Sequence, residues 1–350
     1  MEKMIKDVSA VKGRLSTLDA MRGIAALAVL LDHMGLLTSF QQFAEHGAIA
    51  VDLFFMISGF VMARAYEPKF VGGLWRFGVQ RMARLYPMIM LAIIITIVSA
   101  IMFPAAVRTT DIAGWVLYVA ILPDLRSSGH IFPLNPVLWS LFLEIVANLC
   151  HCWLFPRTRL LIPIVGLSAA AFAGAAIHYG GAGVGAHTAT FWAGFALVAW
   201  GYGVGVLLCR FARSYGARLP HVPAGVIMLL TIGMLFGPAM SSKLRTAVPL
   251  FVGFPMSVLL GAYARSPARF VRRVTDWLGD ISYPLYAIHW PLLLFAIGTI
   301  GRVAALSTWV LIMVVILGAS TLAEYWWDAP VRRWLKHRIV QSKEEIKKTL

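Results

Sequence analysis

Apolar residues along this 350-residue chain collect into ten runs, at 18–38, 47–65, 84–104, 137–155, 159–177, 188–208, 222–237, 246–263, 282–300 and 307–327. A hydrocarbon core about 30 Å thick takes roughly 20 helical residues to cross, so the pattern predicts an all-α polytopic membrane protein of ten spans. The run at 222–237 is the shortest. An eleventh stretch, 112–122, ends at Pro123 and is too short to cross, so it is expected as a re-entrant or interfacial segment. The connection 105–136 holds Pro123, Gly129, Pro133 and Pro136, which predicts a bent cap over the outer face.

The loops give the spans a direction. With ten spans, 25 of the 31 Lys and Arg residues fall in the N-terminal segment, the even-numbered connections and the C-terminal tail. The odd-numbered connections hold 5, and Arg22 lies inside the first run. Basic residues are retained in the cytoplasm, so both termini are expected there. A further span at 112–122 would invert every later loop and erase the asymmetry. Residues 1–340 then form one transmembrane domain and 341–350 a charged cytoplasmic tail. The first run is long and lacks a cleavage site, which predicts a retained span and not a signal peptide.

Composition agrees with this reading. The chain is 59% hydrophobic and 13% charged, with mean hydropathy +0.77, against about 25% charged residues in soluble domains. The net charge of +15 sits in short loops and follows no aromatic-interleaved surface, so no nucleic-acid partner is expected. The lipid bilayer is. Cys150, Cys152 and Cys209 have neither a disulfide framework nor metal-ligand spacing, and no metal is expected.

With no soluble segment long enough for a catalytic domain, chemistry must come from ionisable groups among the spans. Arg22 and His33 are eleven residues apart, which on a helix puts them on one face about 16 Å apart along the axis. A stripe carrying a cation and an imidazole is unlikely to face lipid. Asp19 and Arg22 are candidates for the same polar site, against a bland reading in which Asp19 caps the first helix and Arg22 snorkels to the cytoplasmic headgroups. His33 is the candidate general base, since imidazole exchanges protons near neutral pH. Asp52, entering the second run from the same outer side, is expected to orient that imidazole. Ser58 lies further in, where a Ser-Gly pair more often marks close packing. Arg81 and Arg84, at i and i+3, can grip a phosphate. Glu144 lies well inside the fourth run, where a carboxylate needs a partner. Tyr283 and His289 open the ninth run, with His289 either a second base or a structural hydrogen-bonding group. Tyr325 to Arg333 closes the tenth as an interface anchor.

Taken in order, Arg22 with His33, Asp52 to Phe60, Arg81-x-x-Arg84, Leu138-Trp139-Ser140 with Glu144, and Ser282 to Pro291 resemble the membrane acyltransferase 3 family of bacterial O-acyltransferases. The resemblance covers nearly the whole chain, in the stand-alone form without a soluble esterase-like domain. It implies ten spans in the bacterial inner membrane and an acyl-CoA donor, usually acetyl-CoA, met from the cytoplasm. The implied acceptor is a hydroxyl of a cell-envelope carbohydrate or glycolipid. By the family pattern His33 is catalytic, Arg22 shares its motif, and Arg81 and Arg84 handle the donor. No permanently bound cofactor is implied, and a separate acyl-accepting protein is a candidate partner. The chain departs from the pattern at Asp32 beside His33, at Ile145-Val146-Ala147 after Glu144, and at Asp328-Ala329-Pro330 in place of Glu-x-Pro. A transporter or exporter of acyl groups or small polar solutes is the rival reading, but no pair of broken spans recurs in matching halves to support it.

Overall fold

A computed structural model describes residues 15–36, 47–67, 73–104, 106, 110–126, 128–154, 158–237, 247–265, 269–301 and 305–338. The first fourteen residues and the charged tail lie outside these. Among the described residues the chain is helical, with two isolated β-bridges and no strand.

Every one of the ten apolar runs coincides with helix. These are α1 (Ser16–Leu36), α2 (Gly47–Tyr66), α3 (Gly73–Met102), α5 (Leu138–Leu154), α6 (Thr158–His178), α7 (Phe191–Tyr215), α8 (Ala224–Phe236), α9 (Phe254–Gly261), α10 (Arg269–Ile300) and α11 (Leu306–Leu322). The short α4 (Ile112–Val119) covers most of the eleventh stretch. Wider π turns lead into α9 at Pro249–Gly253 and extend α11 at Ala323–Asp328. Among the described residues six helices are long and apolar enough to cross a membrane, in α2, α3, α6, α7, α10 and α11. The apolar helices at 138–151, 224–236 and 249–261 are shorter. At 21 residues α1 has the length, but Asp19, Arg22 and Asp32 interrupt its hydropathy. The fold is that of a multi-pass membrane protein, and the charge-bearing α1 packs against α10, α2 and α8.

Close approach holds the bundle together. On α7, Gly201 and Gly205 form a small-xxx-small stripe against α2. A Cβ at Gly205 would overlap the carbonyl oxygen of Met56, and one at Gly59 would overlap that of Tyr202. The small-residue reading of Ser58-Gly59 therefore describes Gly59. On α1, a Cβ at Gly23 would strike Leu278 of α10. Where α1 ends, the Asp32 carboxylate lies against Gly47, leaving no room for a side chain there. Asp32, adjacent to the imidazole in sequence, thus points at the start of α2, where the helix dipole favours an anion.

Interior prolines release backbone carbonyls, and side chains reclaim them. Pro291 in α10 removes the N–H that would bond Ala287, and Asn135 Nδ2 donates to that carbonyl at 3.5 Å. Near Pro87 of α3 two other carbonyls, which the missing proline N–H does not itself free, also take side-chain donors: the Tyr283 hydroxyl donates to Leu85 O at 2.5 Å and Trp327 Nε1 to Pro87 O at 2.8 Å. In a bilayer interior such bonds replace those that water cannot supply.

The connection before α5 is tied together by side chains. Asp111 accepts from the Gly114 N–H at 2.7 Å and so caps α4. Arg126 donates to Asp111 at 2.8 Å and to Asp124 at 2.7 Å. Hydrogen bonds from Arg126 and then from Gly114 push the Asp111 carboxyl down to about 2. Asp124 is lowered by Arg126 as well.

Candidate functional site: a charged cavity and a histidine pair

Six segments converge on a cavity of about 200 Å³. α1 contributes Asp19 and Arg22, and α2 contributes Val51, Phe54, Phe55 and Ser58. Arg81 and Arg84 come from α3, and Ser140 and Glu144 from α5. α10 adds Asp280, Tyr283 and Tyr286, and the π turn after α11, with the helical turn that follows it, adds Glu324, Asp328 and Arg332. Seven of the residues singled out in the sequence therefore share one cavity: Asp19, Arg22, Ser58, Arg81, Arg84, Glu144 and Tyr283. Asp19 and Arg22 lie near the start of α1, Arg81 and Arg84 in the first half of α3, Ser58 in the second half of α2, Glu144 in α5 and Tyr283 near the middle of α10. Basic residues of the sequence cluster in the connections next to these helix ends.

Glu144 finds the partners its position demanded. Ser58 Oγ donates to Glu144 Oε1 at 2.7 Å, and Arg81 Nη2 donates to the same oxygen at 3.2 Å. The Arg81 side chain is 7% exposed and that of Glu144 20%, so this ion pair sits at the cavity wall with one member nearly enclosed. Arg81 Nε is buried without a hydrogen-bond partner among the described residues. Arg22 and Asp19 form a looser pair at 3.7 Å.

One wall was not legible as a site. Of the stretch Tyr325 to Arg333, expected as an interface anchor, Tyr325 and Trp326 are exposed, whereas the charged residues Asp328 and Arg332 are turned to the cavity. Arg332 pairs with Glu324 at 2.5 Å and with Asp328 at 3.0 Å, all three facing the cavity. The Ala329 N–H bonds Glu324 O five residues back, so the register shifts locally by one residue. A heptad count from α11 does not show that shift. Such π turns recur at functional sites.

Tyr286 closes the far end of the cavity. Its hydroxyl meets Ser140 Oγ at 2.5 Å, and its ring meets Phe54 edge-on at 5.1 Å. On its other side the ring lies edge-on to His289, with centroids 6.1 Å apart. His289 Nε2 is 2.7 Å from His33 Nδ1, and Trp290 stands edge-on to His33 at 5.1 Å. His33 and His289 are thus joined to each other and reach the cavity through Tyr286, without lining it themselves.

Asp52 is not brought to His33. Neither of its carboxylate oxygens has a hydrogen-bond partner among the described residues, although the residue is fully buried. Rotation along α2 explains this. Val51, Phe54 and Ser58 face the cavity, whereas Asp52 lies about 100° round from Val51 and does not line it, its backbone carbonyl lying beside Gly201 of α7. The sequence reading compared depth in the membrane and not helix rotation, and the expected Asp52-to-His33 contact is replaced by His289-to-His33.

A second polar cluster was missed at the cationic end. Glu67, just past α2, accepts from Arg210 at 2.7 Å and Arg213 at 2.9 Å, with His151 Nε2 at 3.4 Å. Burial alone would raise this carboxyl, but hydrogen bonds from His151 and Arg210 and the charges of both arginines bring it to about 2. The i, i+3 spacing of Arg210 and Arg213 was the available signal. Among the described residues no group of three or more His, Cys, Asp or Glu is placed to hold a metal ion.

A helical membrane bundle with ionisable groups gathered around a buried cavity is the class that this fold and site define. The chain belongs to the acyltransferase 3 family, described as an acyltransferase domain, which matches residues 15–325. It is 25% identical over 304 residues to BcsY of Komagataeibacter xylinus, a protein named as a membrane-bound transacylase, covering 80% of this chain and 73% of that one. It is 32% identical over 155 residues to Protein 2 in picA locus of Rhizobium radiobacter, covering 39% of this chain and 79% of that one. No solved structure matches. A membrane acyltransferase is the activity that family membership supports.

Proposed function

We propose that this protein is an O-acyltransferase of the bacterial inner membrane. It moves an acyl group, acetyl in the simplest case, from acyl-CoA on the cytoplasmic side to a hydroxyl of a cell-envelope or exported glycan or glycolipid. The chain crosses ten times with both termini in the cytoplasm, a reading supported by the 25-to-5 division of basic residues and by helix in all ten runs. The observation that carries the proposal is a continuous sequence of contacts. Arginines at the cationic end line a cavity that ends at Tyr286, and Tyr286 leads through His289 to His33.

At about 200 Å³ the cavity is smaller than the roughly 300–1,000 Å³ of pockets that enclose a whole drug-sized ligand. It suits a slender pantetheine arm, with the nucleotide left at the cytoplasmic mouth. Arg84 and Arg22 meet the donor's phosphates there, and Arg81, anchored by Glu144, offers its unpartnered Nε–H to a phosphate oxygen or a pantetheine carbonyl. Arg22 and His33 are about 16 Å apart along α1, so the arm has to pass Phe54 and Tyr286 before the thioester reaches the imidazole. His33 then takes the acceptor hydroxyl proton as the oxygen attacks the thioester carbonyl. The C–S bond breaks, and the thiolate leaves with that proton as free CoA.

The test is transfer of labelled acetyl from acetyl-CoA by protein reconstituted in lipid, with free thiol measured alongside. His33→Ala should abolish both product and thiol release while leaving expression intact. Normal transfer by that variant would remove the proposed base. Solute flux without thiol release would favour a transporter.

A further inference from the structure

The partners of the two imidazoles fix where their protons sit. His289 Nδ1 lies 2.9 Å from the carbonyl oxygen of Leu285, one turn earlier on α10. A carbonyl can only accept, so His289 Nδ1 carries a proton. In a neutral ring His289 Nε2 is then an acceptor, and it faces His33 Nδ1 at 2.7 Å with the two ring planes within 18° of each other. His33 Nδ1 must therefore carry its own proton and donate. Its lone pair is left on Nε2.

The opposite polarity, with a cationic His289 donating to His33, would place a charge on a fully buried residue. Among the described residues no carboxylate forms an ion pair with His289, and an unpaired charge in the membrane interior is costly. Other elements do not change this assignment. Asp32, the neighbour of His33 on α1, is turned toward Gly47. Trp290 contributes a ring and no titratable group. His130, in the connection before α5, is the other titratable group whose charge reaches His33.

We propose that His289 is the positioning residue of the reaction, holding His33 as the Nδ1–H tautomer so that Nε2 takes the acceptor proton. This rests on His33 being the base. It makes the pair a neutral dyad, in which an imidazole stands where a carboxylate commonly orients a catalytic histidine. The proton balance closes. Nε2 receives the hydroxyl proton and returns it to the departing thiolate, while His33 Nδ1–H and His289 Nδ1–H stay in place.

Three variants and one spectrum test it. His289→Gln keeps an oxygen that can accept from His33 Nδ1–H, His289→Leu removes the acceptor, and His289→Glu supplies a charged one. The glutamine variant should retain transfer within about tenfold, whereas the leucine variant should lose about 100-fold or more in kcat with little change in KM for acetyl-CoA. A carboxylate partner favours imidazolium, so the acid limb of the kcat/KM profile should move to higher pH in His289→Glu than in His289→Gln. Nitrogen-15 spectra of histidine-labelled wild-type protein in nanodiscs, with His33 assigned through His33→Gln, should show Nδ1–H and a bare Nε2. That spectrum does not depend on any His289 variant folding. Equal losses in His289→Gln and His289→Leu, unshifted acid limbs, or an Nε2–H tautomer of His33 would each overturn the assignment. Full transfer by His33→Gln would instead sink the base, and the spectrum would still report the tautomer.

Discussion

Removing both members of the Arg81–Glu144 pair should cost less than the two single removals added together. Arg81 is 7% exposed and its guanidinium meets Glu144 at 3.2 Å, while Ser58 holds the same oxygen at 2.7 Å. Breaking a fully buried ion pair costs about 3–5 kcal/mol, chiefly through the charge left behind. Here the Glu144 side chain is 20% exposed toward the cavity, so water reaches it and the expected cost falls to about 2–3 kcal/mol for Glu144→Leu, which strands the more enclosed Arg81. Ser58→Ala removes one side-chain hydrogen bond, and in membrane bundles these average about 0.6 kcal/mol and reach about 1.7. The order of damage should therefore be Glu144→Leu, then Arg81→Met, then Ser58→Ala. Arg81→Met/Glu144→Leu should lose less than the sum of its single variants by about 1–2 kcal/mol. Thermal or denaturant unfolding in one detergent, followed by intrinsic tryptophan fluorescence, measures all four. Additive losses would show that the two side chains do not depend on each other, and a Ser58→Ala loss equal to that of Glu144→Leu would refute the charge argument.

Gly205→Leu should destabilise by at least the roughly 1–3 kcal/mol of core overpacking, because its Cβ meets the Met56 carbonyl and not a movable side chain; a thermal shift within error would refute that contact. Gly47→Ala should be harmful alone and partly rescued by Asp32→Gly, since the Asp32 Cβ and carboxyl group together occupy the space beside Gly47; equal damage in both backgrounds would count against the contact. In the connection before α5, hydrogen bonds from Arg126 and Gly114 push Asp111 down to about 2 against an ordinary value of 3.8. A depressed carboxylate contributes stability that is fully present above its ordinary value and lost as pH falls through the folded one. The melting temperature should thus decline from about pH 4 toward 2, and Arg126→Ala should flatten that decline; an unchanged slope would show that Arg126 does not hold Asp111.

How much of this was legible follows from which physical signal each feature leaves. The ten helices were, because burial in lipid demands long apolar runs whatever they pack against. Glu144 was legible as a group in need of a partner, but Ser58 and Arg81 as those partners were not, since sequence gives depth along a helix axis and not which helices touch. Asp52 and Ser58 are six residues apart, about 240° around a helix. They could not share a face, and that calculation was available. The Glu324–Asp328–Arg332 wall was hidden for a different reason. Its aromatic neighbours carry a true interfacial signature, and the π turn that brings the charged residues inward leaves no periodicity to read.

The charges around the cavity also limit what it can bind. Arg22, Arg81, Arg84 and Arg332 face it together with Asp19, Glu144, Asp280, Glu324 and Asp328, so its wall is not a net cationic trap. An anion entering it gains little from long-range attraction and depends on geometry, since Arg81 and Arg332 already have carboxylate partners. Held by those carboxylates, the guanidinium groups are pre-organised, and this cuts the side-chain ordering cost of binding. The same carboxylates repel any phosphate that goes deeper. A donor whose charge is confined to one end and whose reactive end is a neutral thioester fits such a wall better than a compact multiply charged solute. In the proposed reaction the charged end would stay at the mouth near Arg22 and Arg84, and the neutral arm would pass the acids toward Tyr286. Extending the cationic character inward by Glu324→Gln should therefore admit inorganic phosphate or free nucleotide as a stronger competitor of acetyl-CoA. Unchanged inhibition constants in that variant would refute the filtering role of the acidic wall.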